Sequence, residues 1–505
     1  MKKVAVIGSG VAGFSAAIHA QLEGFETELY EAHSRPGGMC TTWKRKGFTI
    51  DNCVHWFTCT KKDMQLNRLW QNVGLVSDDI DTVELKSFYS SELNGKTLTL
   101  WSDLERTRKE LLSLSPEDEK EINDFIDTVE LEKGMQLPVF KPVSAVGLFD
   151  LPEMIKTMHP MIKAIRHIGK ENLAQYSQRF KNPLIKQTLK DLIPVYQYAT
   201  SFIASYATVC SGNGDFIAGG TDEMIRRLTL KYESLGGKLF VNKKIVKVNF
   251  AGGTKGRKKV IESVEAEDGE VIEADCFIFA CDPKITFGKL LDEKYMNKGL
   301  KKRYLRKEAN PTFSGFHAAF AVDGKFEAPV ETPAYFFETT EEFTAGTNTL
   351  HRIGVKTYHH YKADFAPEGK DIIQVHLKQF EKDYFFWERL AEKGDGKKAY
   401  REEKEKTAIF IQQQIEKRFP EYRGKLELLD VWTPYTYHRY TGAYTGSYMT
   451  FIKTPGSGAN YIPNSIRGIK NGFCASNWLM SPGGLPCALA EGYFAVWYMM
   501  KSFRP

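Results

Sequence analysis

The chain has 505 residues, too many for one hydrophobic core, so two or three domains are expected. Apolar residues make up 42% and charged residues 26%, the balance of a soluble globular protein, and a net charge of +6 is too small at this length to argue for nucleic acid. The cysteines are scattered with no C-x-x-C pair, which reads as free thiols in a reducing, cytoplasmic setting without structural zinc.

Met1-Lys2-Lys3 before an apolar run superficially resembles a secretion signal. The run is short and broken by glycines, so a buried strand entering a glycine-rich turn explains it better. Val4–Ile7 reads as that strand, residues 11–23 as a helix with Ala12, Gly13, Ala16 and Ala17 toward the sheet, and Thr27–Glu31 as a second strand. This is a βαβ unit. Its turn, Gly8-Ser9-Gly10-Val11-Ala12-Gly13, is a complete G-x-G-x-x-G. Gly8 allows the tight turn, Gly10 lets backbone approach a diphosphate, and Gly13 lets helix and strand pack closely. Glu31 ends the second strand, where its carboxylate accepts hydrogen bonds from ribose hydroxyls and repels a 2′-phosphate, disfavouring NADP. Ala32 follows, then Arg35, Gly37, Gly38 and Met39. An arginine and two glycines past the ribose acid suit a ligand that continues beyond the first nucleotide, as FAD does.

Further along, Ser113–Lys133, Leu151–Gly169, Asn182–Ala207 and Ile217–Leu235 read as helices, with Thr221 or Asp222 capping the last. Short strands are expected in Lys238–Phe250, Lys259–Glu265, Cys276–Ala280, within Lys301–Asp323, and at Leu426–Trp432. Residues 381–418 read as charged and mostly helical, and Leu485–Met500 as a C-terminal helix. No apolar stretch reaches the length needed to span a bilayer. Leu151–Arg166 mixes apolar residues with Lys156, Lys163 and Arg166; a peripheral membrane contact is one reading, and the modest charge favours a domain-surface helix.

E-x-x-x-R-x-G-G from Glu31 to Gly38, followed by Gly47-Phe48 and Asp51, resembles the N-terminal signature of the flavin amine oxidase-like superfamily. Within it the chain looks most like the phytoene desaturase, carotenoid isomerase and retinol saturase branch. Phe216–Leu228 with Gly219-Gly220, and Ala274–Pro283, resemble that branch's internal segments. Asn471–Trp478, Ser481-Pro482-Gly483-Gly484-Leu485-Pro486 and Ala490-Glu491-Gly492 resemble its C-terminal flavin motif, with Leu485 where the family has a third glycine. The resemblance implies an α/β fold: a discontinuous Rossmann-type FAD-binding domain of the glutathione reductase kind with an inserted α+β substrate domain. The implied segments are 1–80, 210–290 and 425–505 for FAD, and 81–209 with 291–424 for substrate or lid. It also implies that Val246, Asn477, Pro482, Gly483, Gly484, Leu485 and Pro486 join the glycine-turn residues around the cofactor.

Flavin chemistry resides mainly on the cofactor, so few catalytic side chains are expected. His55 is the candidate acid or base, beside Trp56. Tyr196, Tyr198, Tyr206, Tyr435, Tyr437, Tyr440, Tyr444 and Tyr448 suit either an apolar tunnel with a few hydroxyls or ordinary packing. His351, His359, His360 and His376 fit no common metal spacing, and no metal is expected. The leading expectation is an FAD enzyme acting on C=C or C–C bonds of a long apolar small molecule such as a carotenoid or retinoid. A flavin amine oxidase and a non-catalytic flavin-binding protein are the competing readings.

Overall fold

A computed structural model describes residues 2–52, 56–77, 80–252, 258–358, 361, 364–393, 395–458 and 462–503. Two sheets organise them. The first begins with β1 (Lys3–Ile7), followed by α1 (Val11–Leu22) and β2 (Glu26–Tyr30). β1 lies mid-sheet, which is why Val4, Ala5 and Val6 are fully buried. The full order is Gly472–Cys474, Cys276–Phe279, β1, β2, Lys238–Phe240, all parallel. Parallel neighbours need crossover connections. Here the crossovers are long enough to hold a second sheet.

That sheet has seven strands in the order Leu426–Trp432, Phe313–Asp323, Lys370–Phe380, Asn348–Lys356, Ala334–Ala345, Ser87–Leu93, Lys96–Trp101. Phe313–Asp323 is buried on both faces, and the period of two sorts its side chains. Phe316, Ala318, Phe320 and Val322 pack on Trp387, Ile411 and Ile415 of the helices Glu381–Glu392 and Gly396–Arg418. Ala319 and Ala321 face the main core, and His317, on the same face, reaches a cavity. A helical cap of Leu104–Leu114, Glu119–Glu132, Leu151–Ile168, Pro183–Asp191 and Ala199–Cys210 covers the other side.

Several expectations are corrected. Leu426–Trp432, placed by sequence in the third dinucleotide-domain segment, is an edge strand of the second sheet, antiparallel to Phe313–Asp323. Its Leu426 and Val431 are buried in that sheet's core. Asn182–Ala207 is two helices, Pro183–Asp191 and Ala199–Cys210, with Pro194, which lacks a backbone N–H donor, in the break. Ser113–Lys133 breaks at Ser115-Pro116, and its first part belongs to a helix starting at Leu104. Helix Gly220–Ser234 has no side-chain cap of its own. Asp51 supplies it instead, accepting from the Thr221 N–H at 2.8 Å and the Thr221 hydroxyl at 2.7 Å. The strands Ala334–Ala345, Asn348–Lys356 and Lys370–Phe380 are additions to the sequence reading.

Candidate active site

Gly8 turns the chain off β1 at φ +101°, and a Cβ on Gly13 would lie 1.8 Å from the Gly8 carbonyl oxygen, so α1 packs directly on the turn. Nothing stands within 4 Å of where a Gly10 Cβ would be, and no side chain caps the N–H groups that follow it. A free helix N-terminus over open space is a ready anion site. The Arg35–Met39 loop crosses this turn. The Gly37 N–H donates to the Ser9 carbonyl at 3.0 Å, and a Gly38 Cβ would be 3.3 Å from the Gly10 Cα. Only glycine permits two backbones to meet so closely.

Glu31 is 7% exposed. One carboxylate oxygen accepts from the Ser9 N–H at 3.0 Å and the Ser9 hydroxyl at 2.5 Å, and the other from the His33 N–H at 3.0 Å. The carboxylate is thereby fixed, with acceptor capacity left for ribose hydroxyls.

These residues line one end of a cavity of about 2570 Å³. Ordinary ligand pockets are about 300–1,000 Å³, so this space accommodates a dinucleotide and a second large molecule. Gly8, Gly10, Val11, Ala12, Glu31, Ala32, Arg35, Gly37, Gly38, Met39, Val246, Asn477, Pro482, Gly483, Gly484, Leu485 and Pro486 all line it. Gly13 sits beneath the turn instead, as its packing role requires. Gly483 and Gly484 have φ of +80° and +85°, and a Gly483 Cβ would be 2.6 Å from the Thr450 side chain. The turn they form starts the helix Leu485–Phe503. Both ends of the chain therefore wall one space, and an open, uncapped helix start beside an anchored carboxylate has the chemistry to meet the diphosphate and ribose of a dinucleotide such as FAD. His55, His359 and His360 lie outside the described residues.

A polar cluster faces the same cavity; Tyr437, Tyr448 and His376 are singled out by sequence, His317 and the pairing are not. His317 and His376 are directly opposed across the antiparallel ladder, stacked at 4.6 Å. His317 also stacks on Trp432 at 4.9 Å. The Tyr437 hydroxyl lies 3.1 Å from His317 Nε2, and the Tyr448 hydroxyl 2.8 Å from His376 Nε2. Tyr437 donates to Asn52 Oδ1 at 2.7 Å, and Asn52 donates to the Met39 carbonyl at 3.4 Å. The cluster is thus tied to the glycine loop. Burial, aided by Lys378 and Lys356, pulls His376 down to about 3, so it stays neutral at physiological pH. Of the other tyrosines singled out from sequence, Tyr198 and Tyr440 line the cavity, whereas Tyr206 packs on Phe125.

Behind the C-terminal turn, burial pushes Glu491 up to about 8, opposed by a hydrogen bond from Asn464 and the charge of Arg303. Burial likewise raises Asp282 to about 6, despite N–H bonds from Tyr444 and Lys284. The far arm of the cavity is apolar, with Met154, Met158, Met161, Ile162 and Ile165 from the helix Leu151–Ile168.

Fold and cradle are those of an FAD-dependent oxidoreductase. Residues 6–73 match the family described as NAD(P)-binding Rossmann-like domain. A lycopene-forming phytoene desaturase of Paracoccus sp. is 24% identical over 283 residues, covering 54% of this chain and 53% of that protein. The matched region thus spans about half of that relative. A chloroplastic prolycopene isomerase of an Oncidium hybrid cultivar is 24% identical over 97% of this chain and 81% of its own. Among solved structures, putrescine oxidase bound to putrescine superposes with a TM-score of 0.56 at 12% identity, covering 99% of this chain and 98% of that one. That likeness shows the fold. The chain is thus similar in sequence to a phytoene desaturase and a prolycopene isomerase, with a Rossmann-like N-terminal domain, and similar in fold to putrescine oxidase.

Proposed function

We propose that the protein acts on C=C or C–C bonds of a long, apolar, polyene-like substrate, by desaturation, saturation or isomerisation. The observation that carries this reading is the single cavity running from the glycine turn to the methionine-lined arm. The relatives named as a desaturase and an isomerase of carotenoids support it.

The residues of the glycine turn, Glu31 to Met39, Val246 and Asn477 to Pro486 are the proposed cofactor contacts. When bound, FAD supplies a hydride acceptor or donor. The protein then orients a substrate beside it and keeps water out. Met154, Met158 and Met161 suit the second task, because flexible thioethers fill space around an elongated apolar ligand. The Tyr448 hydroxyl, positioned by the neutral His376 Nε2, is placed to hold or move a proton in the cavity. His55, next to the cavity-lining Trp56, is the sequence candidate for the same task. Residues 1–80 and 210–290 with the C-terminal segment are assigned to the cofactor, and 81–209 with 291–432 to the substrate. The Tyr437 and Tyr448 ring centroids lie 5.7 Å apart, tilted by 56°, and each hydroxyl is bonded to a histidine.

No helix among the described residues is long and apolar enough to cross a membrane. A peripheral contact is proposed through Leu148, Phe149, Leu151 and Ile155, which are exposed at the start of the cavity-lining helix. The test of function is product analysis. Oxidised and reduced FAD-loaded protein is incubated with acyclic polyenes, and the products are separated chromatographically. A change in double-bond number or geometry is expected; unchanged polyenes in both redox states would refute the proposal.

A further inference from the structure

Lys453 lines the cavity where the C-terminal turn meets the substrate half. Its backbone is held from both sides. The Thr450 N–H donates to the Pro482 carbonyl at 3.0 Å, the Ile452 N–H to the Pro311 carbonyl at 2.8 Å, and the Tyr198 N–H to the Lys453 carbonyl at 3.0 Å. Among the described residues no hydrogen bond or ion pair engages its ammonium, and that nitrogen keeps accessible surface. The titratable groups facing it are Arg303 and Cys487, which line the same cavity and are 3% and 6% exposed. Burial, and then the charge of Arg303, hold Lys453 below the usual lysine range. Arg303 is committed to the protein: its Nη1 donates to the Leu479 carbonyl at 3.4 Å and the Ser481 hydroxyl at 3.2 Å. The acid that Arg303 faces is Glu491, which burial pushes up to about 8, so it is mostly protonated at neutral pH.

Among the described residues, then, two cations share one stretch of cavity wall, and the acid beside them carries little charge. Charges taken out of water are disfavoured unless paired, and a like charge nearby adds to the cost. Cys487 also lies in the first turn of the helix Leu485–Phe503, whose N–H dipoles add positive potential. An anion is the complement of this wall. Its head follows from the donors: one ammonium is open and the guanidinium is committed, which suits a single carboxylate better than a diphosphate. Its body follows from the space. From Tyr198 the helix Ala199–Cys210 runs for about 18 Å with Thr200, Ala204 and Thr208 on the cavity, and it packs against the methionine-bearing helix Leu151–Ile168. We propose that Lys453 is the recognition site for a carboxylate at one end of the otherwise apolar substrate. This rests on the proposed function, and it narrows the substrate class from hydrocarbon to long-chain acid.

The test is equilibrium titration of FAD-loaded protein with a matched pair: parinaric acid, a long-chain conjugated polyene with its own fluorescence, and its methyl ester, which has the same skeleton without the charge. The wild type is expected to bind the acid about tenfold or more tighter, the scale of a hydrogen bond to a charged group. Lys453→Gln should bind the two alike, by losing affinity for the acid alone, and Lys453→Arg, which keeps the charge, should retain part of the preference. The preference of the wild type should also shrink as salt is added. Equal binding of acid and ester by the wild type, or a preference that survives in Lys453→Gln, would overturn the proposal while leaving the apolar-substrate reading intact. If neither probe binds the wild type, both readings fall. A potentiometric titration separates the other source of an anion, the reduced flavin: Lys453→Gln is expected to leave the flavin reduction potential unchanged. A lowered potential with the acid preference retained would assign Lys453 to the flavin and overturn the proposal. Displacement of the acid by an equal concentration of geranylgeranyl diphosphate would overturn the carboxylate assignment.

Discussion

Gly492 lies against Ala12: a Cβ on Gly492 would stand 2.4 Å from the Ala12 carbonyl oxygen and 2.5 Å from the Ser15 Cβ. The last helix therefore crosses the first at backbone contact, and Ser15 bonds the Leu489 carbonyl at 2.6 Å beside the crossing. Gly492→Ala must push α1 or the Leu485–Phe503 helix aside. A cost of about 1–3 kcal/mol is expected for such overpacking. Because both helices begin at the cofactor cradle, the flavin-to-protein ratio after purification should fall together with the melting temperature.

Glu31 is held by Ser9 rather than free, so its removal affects both the turn and the ribose contact. Glu31→Gln is expected to weaken FAD binding about tenfold or more, the scale of a hydrogen bond to a charged group. Fluorescence titration of the apoprotein with FAD checks this. Unchanged affinity would remove Glu31 from the ribose site.

Glu491 makes stability depend on pH. Its folded value of about 8 lies above the ordinary 4.5, so the folded chain keeps a proton that the unfolded chain releases. Below 4.5 both states are protonated and nothing is lost; as pH rises toward 8 the fold loses stability, and above it the loss is complete. Glu491→Gln keeps an acceptor for Asn464 and should flatten this dependence, with a gain on the order of 5 kcal/mol at alkaline pH. Denaturant melts across this range measure it.

Leu148 and Phe149 are exposed just before the helix Leu151–Ile168, whose Met154 and Met158 line the cavity. Replacing both with serine should reduce the partition constant for lipid vesicles by about a hundredfold or more, in keeping with about 1.5–3 kcal/mol for burying each large apolar side chain. FAD content and melting temperature should not change. Equal sedimentation of variant and wild type would remove this patch from any membrane contact.

The cofactor half of the molecule was legible in sequence because glycine is a local signal. Gly8, Gly10, Gly37 and Gly38 are required by backbone approach within one turn and one loop, so spacing reveals them. The substrate half is built from long-range pairing. His317 and His376 meet only through the register of strands 313–323 and 370–380, and no local pattern announces that. The strand Ala334–Ala345 carries Glu338, Glu341 and Glu342 outward and breaks register between Glu338 and Phe343, which obscures its alternation.

The central claim is that one cavity holds FAD at the glycine end and a polyene-like molecule at the other. Anaerobic absorbance titration of the purified protein tests it most directly. A bound-flavin spectrum is expected that a long polyene or its reduced counterpart perturbs or bleaches, and that simple amines leave unchanged. Absence of flavin even after incubation with FAD, or bleaching by amines alone, would contradict it.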